Sequence, residues 1–291
     1  MQTIKVISSI ILTVAATLAI AAGASYWIYM NYDETANEGW SRDLRSYLYH
    51  YRNLNEERIT LEPDLPSSKK PEIGPLLQRD DYEFKYDWFT RKSPSWVAVL
   101  ERYKGNKNVN YLEVGAYEGM ATAWMFENIL TDPSSSATVI DIFYEMQQHK
   151  DGGGFSEELR NRYLRNVARA GGADRTRTIT EFSQTALRKL PLDHYDIIYI
   201  DGSHYAPAVL EDAVLAVRLL RAGGILIFDD YRWHHTAERL KSPRYAIDIF
   251  LEMYGEQFEV LHAQGQMILH RTDLDRESIG LGDNQDDTAG E

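Results

Sequence analysis

Four short stretches of the 291-residue chain gather carboxylates, an imidazole and glycines at spacings that could support chemistry. Asp201 is followed by Gly202-Ser203-His204, and Asp229 stands directly before Asp230. Carboxylates brought together repel one another unless a cation or a proton intervenes. All-oxygen ligation by Asp201, Asp229 and Asp230 would suit a hard ion such as Mg2+, Mn2+ or Ca2+. The plainer arrangement has Asp201 bonding a ligand or a loop while Asp229 and Asp230 cap the segment that follows. His204 falls one turn beyond Asp201, where an imidazole titrating near neutrality can act as general base. A lone histidine more often packs structurally, and Trp233, His234 and His235 could line an acceptor pocket or be ordinary surface residues.

The second group lies earlier. The run Tyr111-Leu112-Glu113-Val114 ends in Gly115-Ala116-Tyr117-Glu118-Gly119 and then turns helical. Glycine at such a tip lets the backbone turn sharply and approach a ligand closely, although a strand-to-helix turn also uses glycine merely to fit. Dinucleotide-binding loops want G-x-G-x-x-G, whereas the spacing here is G-x-x-x-G with Tyr117 inside it. The loop therefore favours a nucleoside ligand without phosphates, which counts against a nicotinamide oxidoreductase. The next apolar run, from Ala137, stops on Asp141. A carboxylate there can accept both hydrogen bonds of a ribose diol or simply cap a turn. Glu181 and Ser183 could reach the adenine side of such a ligand.

The elements that must carry these residues follow from periodicity. Strands are expected near 109–114, 137–142, 176–180, 195–200, 224–229, 258–263 and 266–270. Helices are expected near 94–103, 119–130, 156–170, 183–189, 205–220 and 243–254. Alternating strands and helices make an α/β fold, a doubly wound, mostly parallel seven-stranded sheet. The last two strands have no helix between them, so they should pair antiparallel through Gly265. Ligands in such sheets bind outside the carboxyl ends of the strands, where Asp201, Asp229 and Asp230 should meet.

The blocks LEVGAYEGMAT, VIDIF and IDGSHYAPAVLEDAVLAVRLLRAGGILIFDDY resemble the class I S-adenosylmethionine-dependent methyltransferases, in particular the O-methyltransferase-like group with IDGSH and FDDY motifs. The closing YAIDIFLEMYGEQFEVLHAQGQMILHR is similar to that group's last helix and hairpin, so the resemblance spans about residues 86–271. It implies that Glu113 and the loop Gly115-Ala116-Tyr117 to Gly119 approach the methionine part of S-adenosylmethionine and that Asp141 holds its ribose; Ser183, placed on the adenine side by its position after the third expected strand, is consistent with this. It also implies a metal site, Mg2+ or Mn2+, on Asp201, Asp229 and Asp230. A metal-held acceptor hydroxyl would lose its proton to His204, or to the metal alone, before taking the methyl group. Related sugar enzymes can carry a second acid two residues after the first; that position here is Ser203, which leaves the acceptor class, sugar or phenol type, open. The alternative is a non-catalytic cofactor-binding module of the same fold.

Composition narrows the rest. Lys and Arg number 31 against 44 Asp and Glu, a formal charge of −13, which disfavours nucleic acid as a partner. Lys69–Lys70 and Arg91–Lys92 are isolated basic pairs. The absence of cysteine excludes disulfides, thiolate metal sites and cysteine nucleophiles. From Val6 to Tyr32 runs 27 residues without a charge, closing in Tyr26, Trp27, Tyr29 and Tyr32. About 20 apolar residues cross a bilayer, and aromatic rings suit its interface. Residues 1–32 therefore read as a retained single-pass membrane anchor in preference to a cleaved signal peptide, with its orientation open because flanking basic residues are nearly balanced. An amphipathic helix over 40–54 and a Pro-rich arm fill 33–80, the catalytic domain 81–271, and an acidic tail 272–291. Alkaline carbonate extraction should leave the full chain with the membranes and release a chain lacking residues 1–32. Full-length protein in the supernatant rejects the anchor.

Overall fold

Strands that are apolar almost without interruption belong in the middle of a parallel sheet, where helices cover both faces. The computed structural model, which describes residues 81–145, 154–232 and 239–272, places them there. Its strands are β1 (Asn110–Val114), β2 (Ser136–Ile140), β3 (Tyr144–Glu145), β4 (Gly154–Phe155), β5 (Thr176–Ile179), β6 (Tyr195–Ile200), β7 (Leu220–Phe228), β8 (Phe258–Ala263) and β9 (Met267–Arg271). The main sheet runs β5-β2-β1-β6-β7-β9-β8, and β3 and β4 form a separate two-stranded ribbon. The first five strands of the main sheet pair in parallel, whereas β9 is antiparallel to both β7 and β8. The expected antiparallel ending is present. The expected anchor, arm and tail, and Trp233, His234 and His235, lie outside the described residues. Among the described residues no helix is long and apolar enough to cross a membrane.

The helices are α1 (Ser93–Leu100), α2 (Met120–Asn128), α3 (Glu157–Arg169), α4 (Ser183–Leu187), α5 (Ala206–Leu219) and α6 (Pro243–Tyr254). Successive strand residues point to opposite faces, and this alternation sorts the core into two layers. Tyr111, Ile197, Tyr199, Ile227 and Ile268 pack with α1, α2 and α3 through Trp96, Trp124 and Tyr163. Leu112, Ile198, Ile200, Leu226 and Leu269 pack with α5 and α6 through Val209, Ala213, Ile247 and Phe250. Helix α3 shows why such segments form. Ser156 caps its N-terminus by accepting from the Leu159 N–H, Glu157 and Glu158 favour the positive end of the dipole, and Leu159, Tyr163 and Val167 make one buried stripe.

Two departures from the sequence expectation have local causes. Strand β7 begins at Leu220, earlier than 224, because Tyr195 pairs with Leu220 and the register slips before Ile197 pairs with Ile225. Gly223, at φ +74°, accommodates that slip. The β3–β4 ribbon, two residues per strand, is too short to show periodicity.

The strand order reverses at β1, whose neighbours are β2 and β6, so the crevice expected for a ligand opens there. Backbones crowd at this point. Gly115 has φ +85°, and a Cβ on it would stand 2.1 Å from the Asp201 carbonyl oxygen. Gly115 is thus required for β1 and β6 to end side by side, whatever else it touches. Gly115→Ala should destabilise the fold by about 3 kcal/mol, the upper end of overpacking costs, read as a lower urea midpoint at unchanged slope. A midpoint equal to wild type would show that the two strand ends can separate freely.

Candidate active site

A cleft of about 1740 Å3 lies at the carboxyl ends of the parallel strands. The loops after β1, β2, β5, β6 and β7 line it, together with the approach to α1 and the β8–β9 turn. It brings Gly115, Tyr117, Asp141, Ser183, Asp201, His204 and Asp230 to one surface.

Asp201 and Asp229 extend β6 and β7 by one residue each, and Ile200 pairs with Phe228, so the two carboxylates emerge side by side. Period two places both on the same face as Tyr199. The Tyr199 hydroxyl contacts Asp201 Oδ2 at 2.8 Å and also Asp229 Oδ2. A phenol has one proton and cannot donate to both. Burial and the Asp229 charge push the Asp201 carboxyl well above the usual carboxylate range. The Tyr199 hydroxyl therefore bridges the two carboxylates with a single proton. Burial likewise pushes the Tyr199 phenol up, so it stays a donor.

Asp229 departs from the sequence expectation. Its side chain is 1% exposed and its oxygens are engaged by Lys92 Nζ, by Tyr199 and by the Asp230 backbone N–H at 2.7 Å. It does not join Asp201 and Asp230 in a common set of ligand atoms. The group that does converge is Asp201, His204 and Asp230, whose nearest ligand atoms lie within 4.8 Å of one another. His204 Nε2 is 2.9 Å from Asp230 Oδ2 and 4.0 Å from Asp201 Oδ1, so the imidazole is already hydrogen-bonded within the cluster. In this structure an ammonium group, that of Lys92, holds the carboxylate of Asp229, one of the three expected ligands. Desolvation pulls Lys92 down, but Asp201, Asp229 and Asp230 more than offset it and keep the amine charged. Burial pushes Asp230 up, yet its hydrogen bond from His204 and the Lys92 charge hold it below its ordinary value. Asp230 is held at φ +55°, and the next residue, Tyr231, donates its N–H to Gly265 in the hairpin turn at 2.9 Å.

At the other end of the cleft, Asp141 is more occupied than expected. Its Oδ2 accepts from the Ala116 and Tyr117 N–H groups at 2.6 and 2.7 Å, and its Oδ1 from the Phe143 N–H at 2.5 Å. A carboxylate has about four acceptor positions, so about one is left for a ligand. In return Asp141 holds two strained residues, Tyr117 at φ +50° and Phe143 at φ +48°. Ser183 lines the cleft and donates to Asp212 Oδ2 at 3.0 Å; burial raises the Asp212 carboxyl to about 7.

Glu113, Ala116 and Gly119 do not reach the cleft surface. Glu113 is buried on the opposite side of the loop, accepting from Thr122 Oγ1 at 2.6 Å and the Tyr111 hydroxyl at 3.0 Å, with Oε1 unpartnered. Burial raises its carboxyl to about 8, so at neutral pH it is largely an uncharged acid. Ala116 contributes only its N–H to Asp141. Gly119, at φ +80°, lets α2 start against Tyr163, which a Cβ would meet at 2.8 Å.

Three residues with no prominent sequence signal complete the site. Lys92 comes from just before α1, 137 residues from Asp229. Tyr199 could have been found from its strand parity with Asp201. Glu118 is buried and fastens the approach to α1: it accepts from the Lys85 N–H at 2.7 Å and from Arg162 Nη1 at 3.0 Å. Asn166 adds bonds to the Glu83 N–H and the Glu118 carbonyl, both 2.8 Å. Beyond this tether, Tyr86 stacks on Trp88 at 5.1 Å and Trp88 leans on Tyr117 at 5.0 Å, leaving Trp88 52% exposed on the cleft rim.

Residues 112–231 match the family model described as a methyltransferase domain. A protein of Mycolicibacterium smegmatis, whose name assigns it provisionally to the O-methyltransferases, is 32% identical over 45% of this chain and 54% of its own length. A Mycobacterium marinum protein named in the same way is 30% identical over 45% and 50%. The chain spans about half the length of the curated relatives it matches. The solved structure of the O-methyltransferase NovP is 19% identical, covers 62% of this chain and 79% of its own, and superposes with a TM-score of 0.49. Likeness at that level says nothing of activity.

The buried Glu113 carboxyl makes stability depend on pH in a stated direction. Its pKa is raised in the folded state, so its contribution is complete below about 4.5 and is lost as pH rises towards about 8. Glu113→Gln, which cannot ionise, should flatten the fall in melting temperature across that interval. An unchanged fall would mean that Glu113 is already ionised in the folded protein.

Proposed function

Taking residues 112–231 as a methyltransferase domain, we propose that the protein is an S-adenosylmethionine-dependent O-methyltransferase acting on a small hydroxylated acceptor of sugar or phenol type. The observation that carries the reading is the His204–Asp230 pair, 2.9 Å apart, in the same cleft as the loop after β1. S-adenosylmethionine supplies an electrophilic methyl group on a cationic sulfonium. Three features support its fit: an acceptor position left on Asp141 for the ribose, the exposed Phe182 ring beside Ser183 for the adenine, and a carboxylate-lined middle that suits a cation.

The chain's own residues then have separate tasks. Asp230 orients the His204 imidazole through the 2.9 Å contact between them. His204 takes the proton of the acceptor hydroxyl, making oxygen the nucleophile. Trp88 and Tyr117 on the rim give a ring-shaped acceptor a face to lie against. Holding the hydroxyl in line is worth more than the proton transfer itself. No step is assigned to a divalent ion, because Asp229 is already committed to Lys92 and Tyr199. Residues 1–32 would keep this chemistry at a membrane.

The test uses the full chain in detergent with S-adenosylmethionine and a panel of sugar and phenol acceptors, read by mass spectrometry. His204→Ala should lower turnover by about 10²–10⁴-fold while cofactor affinity stays within about threefold of wild type. Absence of cofactor binding at millimolar concentration overturns the reading. Binding without turnover by wild type on any acceptor would favour the non-catalytic module.

A further inference from the structure

We propose that the Lys92 ammonium is the resident cation of the Asp201–Asp229–Asp230 cluster and takes the place of a divalent metal ion there. The inference deepens the reading of this cleft as a methyl-transfer site. Adjacent buried strands deliver carboxylates side by side at their ends, and like charges in a poorly solvated place demand a counter-charge. The structure supplies one. Lys92 Nζ bonds Asp229 Oδ2, and its charge acts on Asp201 and Asp230 as well. Asp229 has little left to offer a metal, since Lys92, Tyr199 and the Asp230 N–H use three of its acceptor positions. His204 and Asp230 are bonded to each other at 2.9 Å, a contact that a metal ligated by both would have to break.

The position of Lys92 is built. It precedes Ser93 at the start of α1, whose Trp96 is fully buried, stands edge-on to Tyr199 at 4.8 Å and donates to Gln266 Oε1 at 2.9 Å. The α1 segment thus packs on the same tyrosine that bridges Asp201 and Asp229. Lys92 is a positioning residue: it holds the Asp229 carboxylate in place, so that the strained Asp230 can face His204.

Metal uptake distinguishes this from a merely structural lysine. The full chain, freed of metal by a chelator, is titrated with Mn2+ and free ion is followed by electron paramagnetic resonance. Wild type and Lys92→Arg, which keeps the charge, should take up no stoichiometric Mn2+ below about millimolar concentration. Lys92→Met should gain one Mn2+ site at least about tenfold tighter than wild type, and Asp229→Asn added to it should abolish that site. Stoichiometric micromolar binding by wild type, lost in Asp229→Asn, overturns the proposal, as does a folded Lys92→Met that gains nothing. Should Lys92→Met not fold, thermal melting of Lys92→Met/Asp229→Asn decides. Recovery towards the Asp229→Asn value shows that the two charges compensate, and no recovery overturns it. S-adenosylmethionine binding measured on the same wild-type sample keeps the two readings apart. Its absence removes the methyl-transfer reading and leaves the Mn2+ result standing.

Discussion

The arrangement of the cleft depends on one ion pair between distant parts of the chain, Lys92 with Asp229. Asp229 is nearly inaccessible to water, and a buried carboxylate without a partner is among the most costly features a fold can carry. With Lys92 in place, the ends of β6 and β7 can close side by side and present Asp201 and Asp230 to the cleft. The lysine lies outside the segment matched to the methyltransferase domain, residues 112–231. The approach to α1 nevertheless supplies part of the cleft's lining and charge, although it precedes the sheet.

That approach is held by a second set of buried polar groups on the far side of the loop after β1. Glu118 accepts from the Lys85 N–H and from Arg162, and Asn166 bonds both Glu83 and Glu118. A buried network of this kind is favourable only when its members are satisfied, which gives the segment a single course over α3 towards the rim. Asp141 does the corresponding work inside the cleft. By accepting three backbone N–H groups it stabilises a loop containing two residues of positive φ, Tyr117 and Phe143. Strain concentrated beside a ligand cleft is where preorganisation is usually stored.

Much of the architecture was legible in the residues. The runs 195–200 and 224–229 read as doubly buried strands because parallel strands need apolar residues on both faces, and the missing helix between 258–263 and 266–270 forced a hairpin. The start of β7 was not legible, because Gly223 and Gly224 resemble a turn until a neighbouring strand pairs across them. For the site, strand ends predicted where Asp141, Asp201, Asp229 and Asp230 would stand. They did not predict what each carboxylate would meet. Glu113 belongs to the most recognisable stretch of the chain and yet turns inward to Tyr111 and Thr122, because the parity of β1 points it at the packed face.

What the sequence determined alone is therefore local: which segments become strands and helices, and which acids lie at strand ends. Period and backbone conformation are properties of a few neighbouring residues, so they can be read there. Only the tertiary structure decided how the acids are divided. Asp141 goes to the loop, Asp229 to a lysine 137 residues away, Asp230 to His204, and Asp201 to the Tyr199 hydroxyl. Counter-charges are allotted by distance in space and by burial, and neither quantity is written in the order of the residues.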